Sequence, residues 1–274
     1  MIEKQKIAGH TIKIALVFFF SAFFSDALRN GIRLSLFALP NFAKKLASEL
    51  NDHQRRTLID IGSGPTIYSA ICFRNVVQRV FLTDYLKKNL DIVQDWLDNR
   101  SSFQWNSVVD VVERIEGNSS FHDPDTIETK TREVLLAGGL AHVDVHRPAC
   151  SLDSSLDVQQ FDVLVSVFCL ESACSSHEQY RNAMANMLQL LRPGGKVILG
   201  SVLEDNAYNS GKSRLFSLLD VTEDQIVCEL EKNSIDPNSL YKISLDEQGV
   251  MFLMGTKSCL SEERQLSAAK EICR

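Results

Sequence analysis

The chain is expected to fold as an α/β protein, a parallel sheet with helices over both faces and a last strand that runs antiparallel. Three observations predict this. Residues 58–65, Leu-Ile-Asp-Ile-Gly-Ser-Gly-Pro, read as a strand entering a small-residue turn and then a helix start, where the fixed φ and missing N–H of Pro65 fit. Further strand-like runs at 76–84, 140–145, 161–168 and 196–203 alternate with helical stretches. Residues 240–245 and 250–256 follow one another across Gly249, which suits an antiparallel pair.

From the N-terminus, residues 1–30 form an atypical apolar segment. Its stretch 14–24 holds one serine among apolar residues, is preceded by Lys4, Lys6 and Lys13, and is too short to span a membrane as a helix. Ser25-Asp26-Ala27 makes a poor cleavage site, so a helix packed on the domain is expected there, with a targeting or anchoring segment as the alternative. Residues 31–50 are an expected helical cap, interrupted at Pro40, with Phe42, Leu46 and Leu50 on one face. After the first strand, a helix is expected over 65–73, a second strand up to Asp84, and a helix over 86–97 with Leu90, Val93 and Leu97 aligned. About forty residues then precede the next strand, more than a plain crossover needs, and are read as an insertion shaping the substrate end. Ser176 and Gln179 suggest a capping box for a helix ending near 191, stopped by Arg192-Pro193-Gly194-Gly195. The domain is drawn over 31–257, with 258–274 a polar C-terminal tail.

Composition narrows the class. The 274 residues carry 45% hydrophobic and 23% charged side chains, ordinary for a soluble domain. A net charge of −6 argues against a nucleic-acid partner. Seven cysteines without a Cys-x-x-Cys pair suit a reducing compartment and no structural zinc. A cytoplasmic monomer with no firm membrane association is expected. The secretory or membrane-anchored alternative rests on 14–24 alone. The sequons at Asn99 and Asn118 are short enough to arise by chance.

The glycine turn separates two nucleotide-binding classes. A dinucleotide site would read Gly-x-Gly-x-x-Gly, but Gly62 and Gly64 are followed by Ile67 at the third position. An Asp-x-Gly-Ser-Gly turn with an acidic residue, Asp84, closing the next strand resembles the first loop of S-adenosylmethionine (AdoMet) methyltransferases. Backbone N–H groups at Gly62 and Ser63 can hold a methionine carboxylate. Asp84 can accept from both ribose hydroxyls, Tyr85 offers a flat face to adenine, and Asp144 with Val145 can read the purine edge.

With these residues stand the block 58–68, Asn89, Phe103, Trp105, Val108, Val109, Glu116, Gly117 and Asn118, the run Ser166-Val167-Phe168-Cys169-Leu170-Glu171, and 191–195. Over roughly 31–257 the chain resembles the nicotinamide, phenylethanolamine and indolethylamine N-methyltransferase family. The resemblance implies a seven-stranded Rossmann-like methyltransferase sheet with its last strand antiparallel and an N-terminal helical cap. It implies AdoMet as cofactor, a small-molecule amine as substrate, and cofactor roles for Gly62, Ser63, Tyr68, Asp84, Tyr85, Asn89, Asp144, Val145 and Val167. Glu171, past the end of a buried strand, is the expected catalytic carboxylate, and Asp205 falls where phenylethanolamine enzymes carry an amine-facing Glu. Tyr208 matches a pocket aromatic, and Asp246 neighbours Leu245, where those enzymes place a late acidic residue. Ser201 stands where nicotinamide enzymes place an Asp, so an arylalkylamine is favoured over nicotinamide. Residues 1–30 contain no tyrosine, whereas the family closes its lid with two. The alternative is therefore a weak or inactive AdoMet-binding relative acting as a scaffold.

Other signals carry less. Gly211-Lys212-Ser213 resembles the end of a phosphate loop, but position 206 is Asn. His142 and His146 flank an expected strand without a third metal ligand and are read as surface or core histidines. No nucleophile elbow accompanies a Ser-His-Asp order, and a dehydrogenase remains only as an alternative to be tested by NAD binding.

Overall fold

A computed structural model describes residues 31–117, 124–154, 156–209, 215–245 and 249–259. The expectations for 1–30, Asp246 and all but the first two residues of the tail lie outside these.

The chain opens with α1 (Gly31–Glu49), which runs through Pro40 without ending there. Then come β1 (Thr57–Ile61), α2 (Tyr68–Phe73), β2 (Arg79–Asp84), α3 (Lys87–Leu97), α4 (Asn106–Glu116), α5 (Pro124–Ala137) and β3 (Gly139–His142). The second half holds β4 (Phe161–Val167), α6 (Leu170–Ala173), α7 (His177–Leu188), β5 (Leu191–Val202), β6 (Ala207–Asn209), β7 (Leu215–Ser217), α8 (Glu223–Lys232), β8 (Ile235–Leu245) and β9 (Val250–Lys257).

Seven strands form one sheet in the order β3-β2-β1-β4-β5-β9-β8, and β6 pairs with β7 in a separate ribbon. The first five sheet strands are mutually parallel; β9 lies antiparallel to both β5 and β8. Alternation along each strand splits the core between two faces. Leu58, Val163, Val165, Ile198 and Phe252 face α1 through α5, while Ile59, Ile61, Leu164, Val197 and Leu253 face α7 and α8. Among the described residues no helix is long and apolar enough to cross a membrane.

Several boundaries differ from the sequence reading, each for a local reason. Helix α2 starts at Tyr68, not Pro65, because residues 64–66 are held as a turn: Gly64 N–H donates to Asp84 Oδ2 at 2.9 Å and Thr66 Oγ1 to the Ser63 carbonyl at 2.8 Å. Arg192-Pro193-Gly194-Gly195 lies inside β5 as a bulge. Phe161 pairs with Leu191 and Val163 with Lys196, so five residues of β5 match two of β4. Helix α7 ends at Leu188, and its capping box is half formed: Ser176 Oγ accepts from Gln179 N–H, but Gln179 Oε1 bonds Ser175 instead. Lys257 lies where α7 meets β5 and donates to the carbonyls of Leu188 and Leu191, at 2.8 and 2.9 Å.

The forty-residue segment is two helices, α4 and α5, packed on the α2 face of the sheet. A buried fork ties α4 to α2: Arg74 Nη1 and Nη2 reach Glu116 Oε1 and Oε2 at 2.9 and 2.7 Å. Removing one partner of a buried pair strands the other charge. Glu116→Ala is therefore expected to lower stability by about 3 kcal/mol in urea denaturation, and a loss below about 1 kcal/mol would match a solvated surface pair instead.

Candidate active site

Most of the described site residues gather at the C-terminal ends of β1, β2, β3, β4 and β5, where an open α/β sheet offers its ligand crevice. A surface hollow of about 380 Å³, lined by Arg56, Asp157, Gln159 and Arg192, lies at the opposite edge of the strands and contains none of them. There Asp162 acts as a latch, accepting from Arg56 and Thr57 N–H and pairing with Arg192 at 2.5 Å.

The glycine turn is set by close approach. Gly62 has φ +77°, and a Cβ on it would stand 2.3 Å from Cys169 Sγ, so no side chain fits. Its N–H and that of Ser63 both donate to the Thr83 carbonyl at 2.9 Å. This corrects the expectation that these two N–H groups are free for a carboxylate; they bind the turn to β2. Gly64, φ +61°, differs: a Cβ there would meet nothing within 4 Å.

Asp84 ends β2 almost fully buried. Its Oδ1 accepts from Leu86 N–H at 2.7 Å and Asn89 Nδ2 at 2.9 Å, and its Oδ2 from Gly64 N–H. A carboxylate has about four acceptor positions, so one remains, on Oδ2, which suffices for one ribose hydroxyl rather than the two expected from sequence. Burial pushes the Asp84 carboxyl up, and these three donors with His142 act against the rise. Tyr85 beside it is 61% exposed, its ring centroid 5.6 Å from that of His142. His142, set aside in the sequence as unremarkable, is thus part of this corner.

Val143 N–H donates to the Asp84 carbonyl at 3.2 Å and brings 143–145 to the same edge. Asp144 Oδ1 accepts from His146 N–H at 2.9 Å, and Asn186 on α7 holds the Val145 carbonyl. Asp144 N–H donates to the Cys150 carbonyl, within a turn where Ala149, Cys150 and Ser151 all have φ between +45° and +53°. Three consecutive left-handed non-glycine residues store strain of roughly 1–2 kcal/mol each.

At the end of β4, Phe168 (φ +56°) turns the chain, with its N–H on the Gly200 carbonyl at 2.8 Å. That turn puts Cys169 against Gly62 and starts α6. Glu171 follows, 1% exposed, its Oε1 accepting from Val202 N–H at 2.9 Å. Burial pushes its carboxyl up to about 7, partly opposed by that bond. Asp60 on β1 is buried as well and takes one bond, from Ser69 Oγ at 2.5 Å. Burial, with Asp84 adding, raises it to about 7 against the Ser69 bond. Among the described residues none of Asp60, Asp84 and Glu171 forms a salt bridge. Three buried acids at one end of a sheet suit a cationic ligand.

The remaining candidates are less central. Ser201 is buried on β5 next to the Val202 that holds Glu171. Asp205 is exposed and accepts from Ala207 N–H at 3.1 Å, a local turn contact rather than one to Glu171. Tyr208 lies in the ribbon strand β6. Val167 packs at the edge of the core beside Gly200.

Two buried polar atoms here have no hydrogen-bond partner among the described residues: Tyr68 Oη and Asn89 Oδ1. With the open side of Gly64 and the spare acceptor of Asp84, they fit a polar, hydroxyl-bearing ligand such as AdoMet. Asp60, Cys169 and His142 were missed in the sequence. Only the acidic residue two before Gly62 was visible as a signal, and its role depends on Ser69 and Asp84 in space.

A model of the NNMT/PNMT/TEMT family matches residues 16–258. The chain is 27% identical over 259 residues to nicotinamide N-methyltransferase of Caenorhabditis elegans, covering 92% of this chain and 89% of that protein. It is 33% identical over 172 residues to phenylethanolamine N-methyltransferase of Bos taurus, covering 62% of this chain and 59% of the relative, less than two thirds of its length. Among solved structures, an S-adenosylmethionine-dependent methyltransferase from Clostridium acetobutylicum superposes with a TM-score of 0.55 at 9% identity, over 88% of this chain and 98% of that one, a likeness of fold.

Proposed function

The chain belongs to the NNMT/PNMT/TEMT family, and on that premise we propose that it is an AdoMet-dependent N-methyltransferase of a small arylalkylamine. The observation that carries this reading is Glu171: a buried carboxyl with no salt bridge among the described residues, just past the end of β4, fixed by Val202 N–H and with its affinity for a proton raised to near neutrality. A general base is most effective with a pKa near the working pH.

When bound, AdoMet would supply an electrophilic methyl group carried on a sulfonium. The chain's part is to hold and align. Gly62, Ser63 and Gly64 keep the backbone low beneath the cofactor, Tyr68 and Asn89 offer their unpartnered oxygens, and Asp84 takes one ribose hydroxyl. Tyr85 would face adenine, with Asp144 and Val145 towards its edge and Val167 as an apolar wall. Glu171 accepts the proton of the incoming ammonium, directly or through a water, and so exposes the nitrogen lone pair in line with the methyl. By the family resemblance, Asp205 and Ser201 would stand on the substrate side. A neutral Ser201 favours an arylalkylamine over nicotinamide.

The free cysteines among the described residues support a reducing, cytoplasmic setting. A weak or inactive relative is the second reading, favoured by the absence of tyrosine from residues 1–30. Calorimetry with AdoMet tests the first: saturable binding is expected, and no binding at millimolar cofactor would sink it. A radiolabelled methyl screen over phenylethanolamine, tryptamine, nicotinamide and thiols then reads the substrate. Turnover of nicotinamide alone would reverse the substrate assignment.

A further inference from the structure

Arg74, which ends α2, carries a donor that the fold leaves unused. The residue is 5% exposed; its Nη1 reaches the Ile71 carbonyl, and Nη1 and Nη2 together hold the Glu116 carboxylate. Its Nε is buried and has no hydrogen-bond partner among the described residues. A buried donor left in that state is costly, so a native chain that keeps one invites an explanation.

The explanation lies in the cavity that Arg74 lines. It holds about 50 Å³, between Arg74 and Asn75 on one side and Thr126, Ile127 and Lys130, in the first two turns of α5, on the other. That is room for a small ion or a few waters. None of the five residues is acidic. Glu116 cancels the charge of Arg74, whereas Lys130 forms no ion pair among the described residues and donates to Asn75 Oδ1 at 3.2 Å. One positive charge is therefore left unbalanced. Thr126 is the third residue of a 14-residue helix, and its N–H is one of those that a helix leaves without an internal partner, at the positive end of the dipole.

We propose that this cavity is a chloride site. Arg74 Nε donates to the ion, Lys130 balances its charge, and the start of α5 faces it, the usual setting for a bound anion. The small volume and the single unbalanced charge favour a monovalent halide over phosphate or sulfate. Thr126 and Lys130 are exposed, which gives the ion a way in. Once bound, it pins α5, which leads into β3, to the helix that opens with Tyr68. The site is independent of the reading of Glu171.

The test is chloride magnetic resonance on the full chain, titrated with sodium chloride against sodium gluconate at constant ionic strength, since gluconate is too large for the cavity. Wild type is expected to show excess chloride line width that saturates and that bromide displaces. Lys130→Met keeps the exposed stem and removes the charge, and should weaken the apparent affinity by about tenfold, the worth of one hydrogen bond to a charged group. Crystals grown in bromide should show anomalous density within hydrogen-bond reach of Arg74 Nε. Line width that never saturates, an affinity indifferent to Lys130→Met, or water alone in the cavity of the bromide crystals overturns the proposal.

Discussion

Glu171→Gln is expected to lower kcat by about 10²–10⁴-fold, the range of a lost general base, while leaving AdoMet affinity essentially unchanged. The amide keeps the shape and still offers an oxygen to Val202 N–H, so the loss isolates proton transfer from positioning. In the wild type the rate should fall as pH drops below about 7, where the carboxyl takes up its proton. Stability runs the other way. The folded-state pKa is raised above the unfolded value, so the protonated group's contribution is complete below the unfolded pKa and is lost as pH rises through about 7. The Gln variant carries no such loss and should gain roughly 3 kcal/mol over wild type above neutrality, visible as a higher melting temperature at pH 8 than at pH 5 relative to wild type. An unchanged rate would remove Glu171 from the mechanism. An unchanged stability difference across that window would show that the carboxyl is solvated in solution.

Asp84→Ala is expected to weaken AdoMet by about 100-fold and to destabilise the chain by about 2–4 kcal/mol, since three donors lose their acceptor at once. Those donors, Gly64 N–H, Leu86 N–H and Asn89 Nδ2, belong to the glycine turn, the segment entering α3, and α3 itself. The variant therefore loosens the glycine turn and the start of α3 as well as removing the proposed ribose contact. Calorimetry reads the affinity, and urea denaturation without cofactor reads the rest. A Kd within about threefold of wild type would mean that the ribose is held elsewhere.

The frame of this molecule was legible because its signals are local. Periodicity marked the strands, and Gly62 with Gly64 fixed the turn. Asp84 and Glu171 stand at strand ends, where side chains face the crevice whatever the details. The missed parts depend on residues far apart in sequence. Cys169 lies over a hundred residues beyond Gly62, whose missing side chain it requires. The N–H groups of Gly62 and Ser63 are taken by Thr83, which no reading of the turn alone would show. His142 looked ordinary until β3 placed it beside Tyr85. Arg-Pro-Gly-Gly read as a helix stop because the same residues also build a strand bulge, and only pairing with β4 separates the two.

The left-handed turn at Ala149, Cys150 and Ser151 bears on how this stretch can vary among relatives. Glycine, asparagine and aspartate enter that conformation at little cost, whereas valine, isoleucine and threonine are nearly barred from it. Cys150 is further confined because its side chain is fully buried. Substitutions that drift in over time should therefore be drawn from a narrow set at 149 and 151 and a narrower one at 150, even though no side chain there is assigned to the chemistry. The position of Asp144 is thus guarded by the backbone shape of its neighbours, and a β-branched residue in that turn would be felt first there.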